Sequence, residues 1–142
     1  MEDCGAHPVV DFTKFGLPST YLLDQAEVLE IFNTFDLKYA NNPKNYWVVE
    51  IADGLLQRET SFLLQAPDVK SRIHKLIFCS HDACGAIGGL NILHERYNLV
   101  PDAISGICSS SPLSVRELKE YTNIPVFDNS YRDLAMLRDI LI

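Results

Sequence analysis

The sequence predicts a three-layer α/β fold in which helices cover both faces of a mostly parallel, five-stranded sheet. Short apolar runs of β type alternate along the chain with stretches of helical periodicity, which is the pattern of a doubly wound sheet. Two of the runs are apolar on both faces, as expected for central strands that lie between helices. With 142 residues, of which 47% are hydrophobic, the chain has room for one domain with one core.

The predicted elements follow one another without an internal repeat or a linker. The strands are expected at residues 7–12, 46–52, 74–80, 102–108 and 124–127. The helices are expected from Ser19 or Thr20 to about residue 39, and at about 55–65, 83–97, 113–121 and 130–142. The strands at 46–52 and 74–80 form the apolar pair, so we expect them to be neighbours at the centre of the sheet. Because the chain opens on a strand and stops inside an amphipathic helix, we expect residues 1–142 to be a single domain cut from a longer protein.

The composition argues against several classes of protein. The net charge is −7 and the twelve basic residues are scattered, whereas a general nucleic-acid binder needs clustered lysines and arginines. No segment approaches the roughly 20 apolar residues of a membrane span, and the N-terminus lacks the features of a signal peptide. We therefore expect a cytoplasmic protein whose four cysteines are reduced thiols, with no structural disulfide and no tightly bound zinc.

Two carboxylates lie where the predicted strand 46–52 ends, namely Glu50 and Asp53. Ligands of parallel sheets bind beyond the carboxyl ends of the strands, and Mg²⁺ typically takes one or two carboxylates together with phosphate and water oxygens. One interpretation is therefore a magnesium site. The other is that Asp53 caps the next helix and Glu50 is a structural acid. One turn further on, Arg58 can bind a phosphate through two N–H groups, or it forms a solvated pair with Glu59.

The loop at residues 79–89 is the richest candidate for binding an anion. Gly85 and Gly88 lie at the start of the predicted helix, where a backbone without side chains can approach a phosphate. Lys14 and Ser109 belong to two other loops of the same predicted rim, and their ammonium and hydroxyl groups can contact an anion. The spacing matches neither the dinucleotide-binding nor the P-loop fingerprint. Close packing of the helix on the sheet is the alternative explanation of the glycines.

Thiols and an imidazole in the same region allow two further interpretations. Cys79, His81, Cys84 and Cys108 have the side-chain types of a zinc site, but free cysteine is also a common small core residue at strand positions. Cys84, at a helix N-terminus with His81 nearby, is a candidate nucleophile. The sequence favours the structural explanation over both.

The order of these segments is similar to that of dethiobiotin-synthetase-like P-loop NTPases. The segment Val49-Glu50-Ile51-Ala52-Asp53-Gly54-Leu55-Leu56 resembles the Glu-Gly-Ala-Gly-Gly-Leu stretch of that family. The segments Val9-Val10-Asp11-Phe12 and Gly16-Leu17-Pro18-Ser19-Thr20 look like part of an uncharacterised bacterial family with a P-loop NTPase-like C-terminal domain. The resemblance implies that Glu50 contacts the Mg²⁺ of a nucleotide and that the loop near Gly85 lies near its phosphates.

The sequence also departs from that family. It contains no phosphate-cradling loop with its lysine, and Ser109 stands where the synthetases have a base-reading Asn. The resemblance therefore implies a P-loop NTPase-like or Rossmann-like sheet without its first strand and P-loop. Such a chain is expected to be inactive alone and to bind a nucleotide only if a P-loop is supplied upstream.

Three functions follow from these interpretations. The first is part of a nucleotide-dependent protein, the second is a binding or regulatory module without catalysis, and the third is a small enzyme that uses Cys84 and His81. The expected partners are a small phosphate-containing ligand and either a missing N-terminal segment or a second copy of the chain, with neither nucleic acid nor membrane.

Overall fold

The computed structural model describes residues 2–127 and 138–140. The chain divides into two compact units, residues 1–69 and residues 70–142. The described helices are α1 (Gln25–Tyr39), α2 (Arg58–Gln65), α3 (Pro67–Arg72), α4 (Ala83–Tyr97) and α5 (Pro112–Tyr121), and the described strands are β1 (Ile77–Cys79) and β2 (Ala103–Ser105). Short 3-10 helices lie at Glu2–Cys4, Phe12–Phe15 and Ile107–Ser110. The expectation of a single domain from a longer protein stays a prediction.

The predicted five-stranded sheet with helices on both faces is wrong. Helices dominate the described residues, which contain only two short strands, β1 and β2, paired in parallel from Ile77 opposite Ala103 to Cys79 opposite Ser105. The predicted strand 124–127 contributes one parallel bridge, between Ile104 and Val126. The prediction therefore holds locally, for a β-α-β arrangement in the second unit, and fails as a description of the chain.

The predicted strand 102–108 is cut short by the backbone at Gly106. This residue has φ 98° and ψ −160°, a conformation essentially restricted to glycine. The chain turns there out of β2 and into the 3-10 helix Ile107–Ser110. A Cβ at position 106 would lie 2.6 Å from the carbonyl oxygen of Ser80 and 2.9 Å from its nitrogen, so the close approach of two backbones also requires glycine.

The helix of the β-α-β arrangement is the element that the sequence predicted best. Asp82 caps α4 by accepting a hydrogen bond from the Gly85 N–H at 2.8 Å, and Asn98 ends it in the left-handed conformation. Both residues are favoured at these positions, and the predicted helix 83–97 is confirmed. The core of the second unit lies around α4 and consists of buried Ala83, Ala86, Ile104, Cys108 and Leu118.

The core of the first unit is helical. Buried Phe32 of α1 packs with Ala66 and Val69, and half-buried Trp47 lies against them. The helix α1 begins later than predicted, because Asp24 rather than Ser19 or Thr20 is its cap. Asp24 and Glu27 form a reciprocal capping box.

Two further predicted strands are absent from the described part of the chain. Residues 46–52 carry no ladder and are largely exposed, and residues 7–12 are irregular until Asp11 caps the 3-10 helix Phe12–Phe15. β-propensity indicates that a segment fits a pleated surface, and it supplies no partner strand. The predicted closing helix 130–142 lies largely outside the described residues. No described helix is long and apolar enough to cross a bilayer.

Candidate functional site

The structure does not place Glu50 and Asp53 at the edge of a sheet, so the geometric argument for a magnesium site is lost. Glu50 lies in an exposed irregular segment. Asp53 and Gly54 have φ angles of 68° and 89° and form a tight turn that leads to Arg58 and α2. Asp53 lines a wide, shallow depression of about 460 Å³ that Glu50 does not line. The described residues contain no group of three or more metal-binding side chains, and magnesium binding stays a prediction.

The predicted anion-binding residues are divided between the two units. Lys14 lies in a 3-10 helix of the first unit, whereas Gly85, Gly88 and Ser109 lie in the second. The N–H of Gly85 donates to the Asp82 carboxylate, which already supplies a negative charge to the start of α4. The Ser109 hydroxyl is engaged locally, since it donates to the Gly106 carbonyl at 2.8 Å. The structure supports a capping role for this loop, and phosphate binding stays a prediction.

The glycines of α4 differ from one another in what they contact. A Cβ at Gly89 would lie 2.2 Å from the Phe78 ring, whereas a Cβ at Gly88 would meet nothing within 4 Å. Close packing of helix on strand therefore explains Gly89 and does not explain Gly88.

The cysteines and His81 do not form a common site. None of the four cysteines forms a disulfide; Cys108 is buried and the other three are exposed. The Sγ of Cys108 contacts the Ser105 carbonyl at 3.3 Å, and burial raises the pKa of this thiol. The exposed His81 ring lies 3.9 Å from the Asp82 carboxylate. No zinc-type cluster is present among residues 2–127 and 138–140, and the reactivity of Cys84 stays a prediction.

Arg58 and Glu59, for which the sequence left phosphate binding or a solvated pair open, form a set of hydrogen bonds in the first unit that we call the clasp. The buried Glu59 carboxylate accepts from the Leu22 N–H at 2.8 Å and from the Arg58 guanidinium at 2.9 Å. Arg58 also donates to the Leu23 carbonyl at 2.8 Å. Leu22 has φ 68°, a left-handed backbone that is unusual for leucine. The clasp holds the turn at Leu22 to α2. No local sequence signal predicts it, because Leu22 and Leu23 lie 37 and 35 positions before Glu59 and Arg58, respectively.

The hydrogen bonds of Glu59 predict that the stability of the first unit depends on pH. The backbone N–H of Glu59 itself, then the Arg58 guanidinium and the Leu22 N–H, lower the pKa of the Glu59 carboxyl below 4.5, against the opposing effect of burial. A carboxyl group whose pKa is lower in the folded state stabilises the fold at pH values above its ordinary pKa. This stabilisation is lost as the pH falls through the folded-state pKa.

We expect Glu59→Gln to lower the melting temperature at pH 7, and we expect the difference from the wild type to shrink as the pH falls below about 4.5. Thermal unfolding followed by Trp47 fluorescence at several pH values measures this difference. Glu30→Gln, an exposed position of α1, controls for the loss of one charge. If the difference in melting temperature between the wild type and Glu59→Gln stays unchanged down to pH 3, the ionised Glu59 carboxylate is not what stabilises the first unit.

We call residues 46–51 of the first unit the open segment, because most of its side chains are exposed and its backbone groups have no hydrogen-bond partner among the described residues. Tyr46 and Val48 are 81% and 73% exposed and Val49 is 45% exposed, whereas Trp47 and Ile51 are half-buried. Trp47 anchors one face, with its ring 5.3 Å from that of Phe32. The other face, with Glu50, points to solvent.

The backbone of the open segment is also unpaired. Its N–H and C=O groups make no hydrogen bond with any residue of the described ranges. Immediately after it, the Ala52 carbonyl accepts from the Thr60 hydroxyl at 3.1 Å, which fixes the end of the segment to α2. A row of unpaired backbone N–H and C=O groups is the feature through which an exposed sheet edge binds another strand.

No protein-family model matches this chain, and comparisons with curated proteins and with solved structures find no match either. The geometry of the chain itself is therefore the basis for a functional proposal.

Proposed function

We propose that this chain is a protein-binding module whose interaction surface includes the open segment of the first unit. The observation that carries the proposal is the exposure of Tyr46, Val48 and Val49 within one short segment that Trp47 anchors. Contiguous exposed apolar side chains mark interaction sites in soluble proteins more often than chance allows. Tyrosine and tryptophan are also enriched where interfaces gain most of their binding energy.

The residues that follow the open segment in sequence include a further exposed apolar side chain. Leu56 is 73% exposed and lines the depression between Asp53 and Arg58. The depression is too open to enclose a small molecule, since small-molecule sites bury most of the ligand surface. An open surface that exposes apolar side chains beside charged ones, as Leu56 beside Asp53 and Arg58, suits a protein partner better.

The nucleotide-dependent function implied by the resemblance stays a prediction, as does a thiol-dependent reaction at Cys84. The first required Glu50 at the end of a central strand, and this premise is wrong for the described structure. The second has an exposed thiol and an exposed imidazole but no common pocket in the part of the chain that the structure describes. A binding module needs neither arrangement.

The proposal is tested with a displayed library of short random peptides selected on the purified chain. We expect Val48→Lys to weaken the selected peptides by about tenfold or more, as for a central contact of an interface. Val100→Lys is the matched control, because Val100 is 64% exposed and lies in the second unit, and it should change affinity by less than about twofold. Failure to enrich any peptide, or equal affinity of both variants, would refute the proposal.

A further inference from the structure

We propose that the open segment binds an extended, basic segment of a partner protein by pairing with it as a neighbouring β-strand. This inference rests on the proposed function and specifies the mode of binding and the chemistry of the partner. In such strand addition, main-chain hydrogen bonds supply affinity, and alternate side chains supply specificity.

The first argument concerns the backbone. In the open segment Trp47 and Ile51 are half-buried, whereas Tyr46, Val48 and Glu50 are exposed, as in a strand with one face against the protein. Val49 departs from this period of two, since it is 45% exposed. The backbone N–H and C=O groups of the open segment lack partners among the described residues, so a second strand can pair with them without first displacing an internal one.

The second argument concerns the ends of the segment. Packing of Trp47 against Phe32 fixes its beginning, and the bond from Thr60 to the Ala52 carbonyl fixes its end. A segment held at both ends loses less conformational entropy on binding than a free one. The sequence of residues 46–52 was predicted to be a strand for its β-branched and aromatic composition, and strand addition uses the same property.

The third argument identifies the partner as basic. Residues 1–69 contain eleven acidic and four basic side chains, whereas residues 70–142 contain eight of each, so the whole net charge of −7 belongs to the first unit. Glu50 lies on the solvent face of the open segment and Asp53 follows it. A second copy of the chain would bring the same excess of negative charge, which disfavours self-pairing. Lysine or arginine between apolar residues complements this face.

Three synthetic peptides probe the inference: alternating Val and Lys, alternating Val and Glu, and the Val-Lys peptide with alternate backbone amides N-methylated. Fluorescence anisotropy measures affinity, and amide hydrogen exchange locates the contact. We expect the Val-Lys peptide to bind and to protect the amides of residues 46–51. The acidic and the N-methylated peptides should each bind about tenfold or more weakly.

Two charge-reversed variants separate local contact from net charge. Glu50→Lys should weaken the Val-Lys peptide by about tenfold. Glu30→Lys makes the same change in net charge at an exposed position of α1, outside the open segment, and should have less than about a threefold effect at physiological salt, because salt screens the long-range interaction of exposed charges.

The outcomes distinguish this inference from the proposed function. If binding depends on Val48 but tolerates N-methylation of the peptide, strand addition is overturned. If it depends on Val48 but tolerates negatively charged peptides, the basic partner is overturned. In both cases the proposal of a protein-binding module remains. Self-association in sedimentation that Val48→Lys abolishes would show a second copy as the occupant and overturn the inference. Absence of any peptide that depends on Val48 would refute both.

Discussion

Gly106→Ala is expected to destabilise the second unit by about 4 kcal/mol, which is a large part of the stability of a typical domain. The backbone at this position has φ 98° and ψ −160°, where a side chain costs about 1–3 kcal/mol. The added Cβ would also lie 2.6 Å from the Ser80 carbonyl oxygen. That atom belongs to a backbone carbonyl which accepts the Cys108 N–H, so it cannot turn aside as a flexible side chain does.

The buried Cys108 thiol provides the measurement. Its labelling by a thiol reagent requires the unit to open, and mass spectrometry separates it from the three exposed cysteines. A loss of about 4 kcal/mol should accelerate labelling of Cys108 on the order of a thousandfold, because each 1.4 kcal/mol is about tenfold in an equilibrium.

Gly16→Ala is the matched control for the strain of a left-handed backbone alone. Gly16 has φ 74° and ends the 3-10 helix Phe12–Phe15, and a Cβ there meets nothing within 4 Å. We expect a cost of about 1 kcal/mol at this position, measured in the first unit by urea unfolding with Trp47 fluorescence. Equal costs at Gly16 and Gly106 would contradict the larger cost expected from the backbone conformation of Gly106 together with its contact with Ser80.

The sequence predicts elements that carry their own boundary signals. The helix 83–97 was predicted correctly because Asp82, helical periodicity and Asn98 define its start, body and end within one stretch of chain. The start of α1 was missed although Asp24 and Glu27 form a capping box. The hydroxyls of Ser19 and Thr20 gave a competing signal, and the turn at Leu22 is held by Glu59, which lies 37 positions away.

The sequence does not predict pairing between distant segments. Residues 46–52 have the composition of a central strand, yet they carry no ladder in the described structure, and Glu50 consequently lies in an exposed segment. Residues 102–108 have a similar pattern, and β2 pairs with β1 because α4 returns the chain beside it. The common sheet edge on which the predicted site residues were to meet is absent for the same reason, and ligand binding at these residues stays a prediction.

The two adjacent glycines of α4 provide the second large effect. Gly89→Ala is expected to destabilise the second unit by about 2 kcal/mol, because overpacking costs about 1–3 kcal/mol and exceeds the gain in helix propensity. The Cβ would lie 2.2 Å from Cζ of Phe78 and 2.5 Å from Cε1, so the ring of this β1 residue must move. Gly88→Ala adds the same methyl group to open space and should stabilise by about 1 kcal/mol.

Urea unfolding followed by far-UV circular dichroism measures both variants, and the difference of about 3 kcal/mol between neighbouring positions separates packing from propensity. The double variant Gly89→Ala with Phe78→Leu isolates the contact further, because leucine lacks the Cε and Cζ atoms that the new methyl group meets. We expect the two substitutions together to cost at least about 1 kcal/mol less than the sum of their separate costs. Additive costs would mean that Gly89 is required for a reason other than the Phe78 ring.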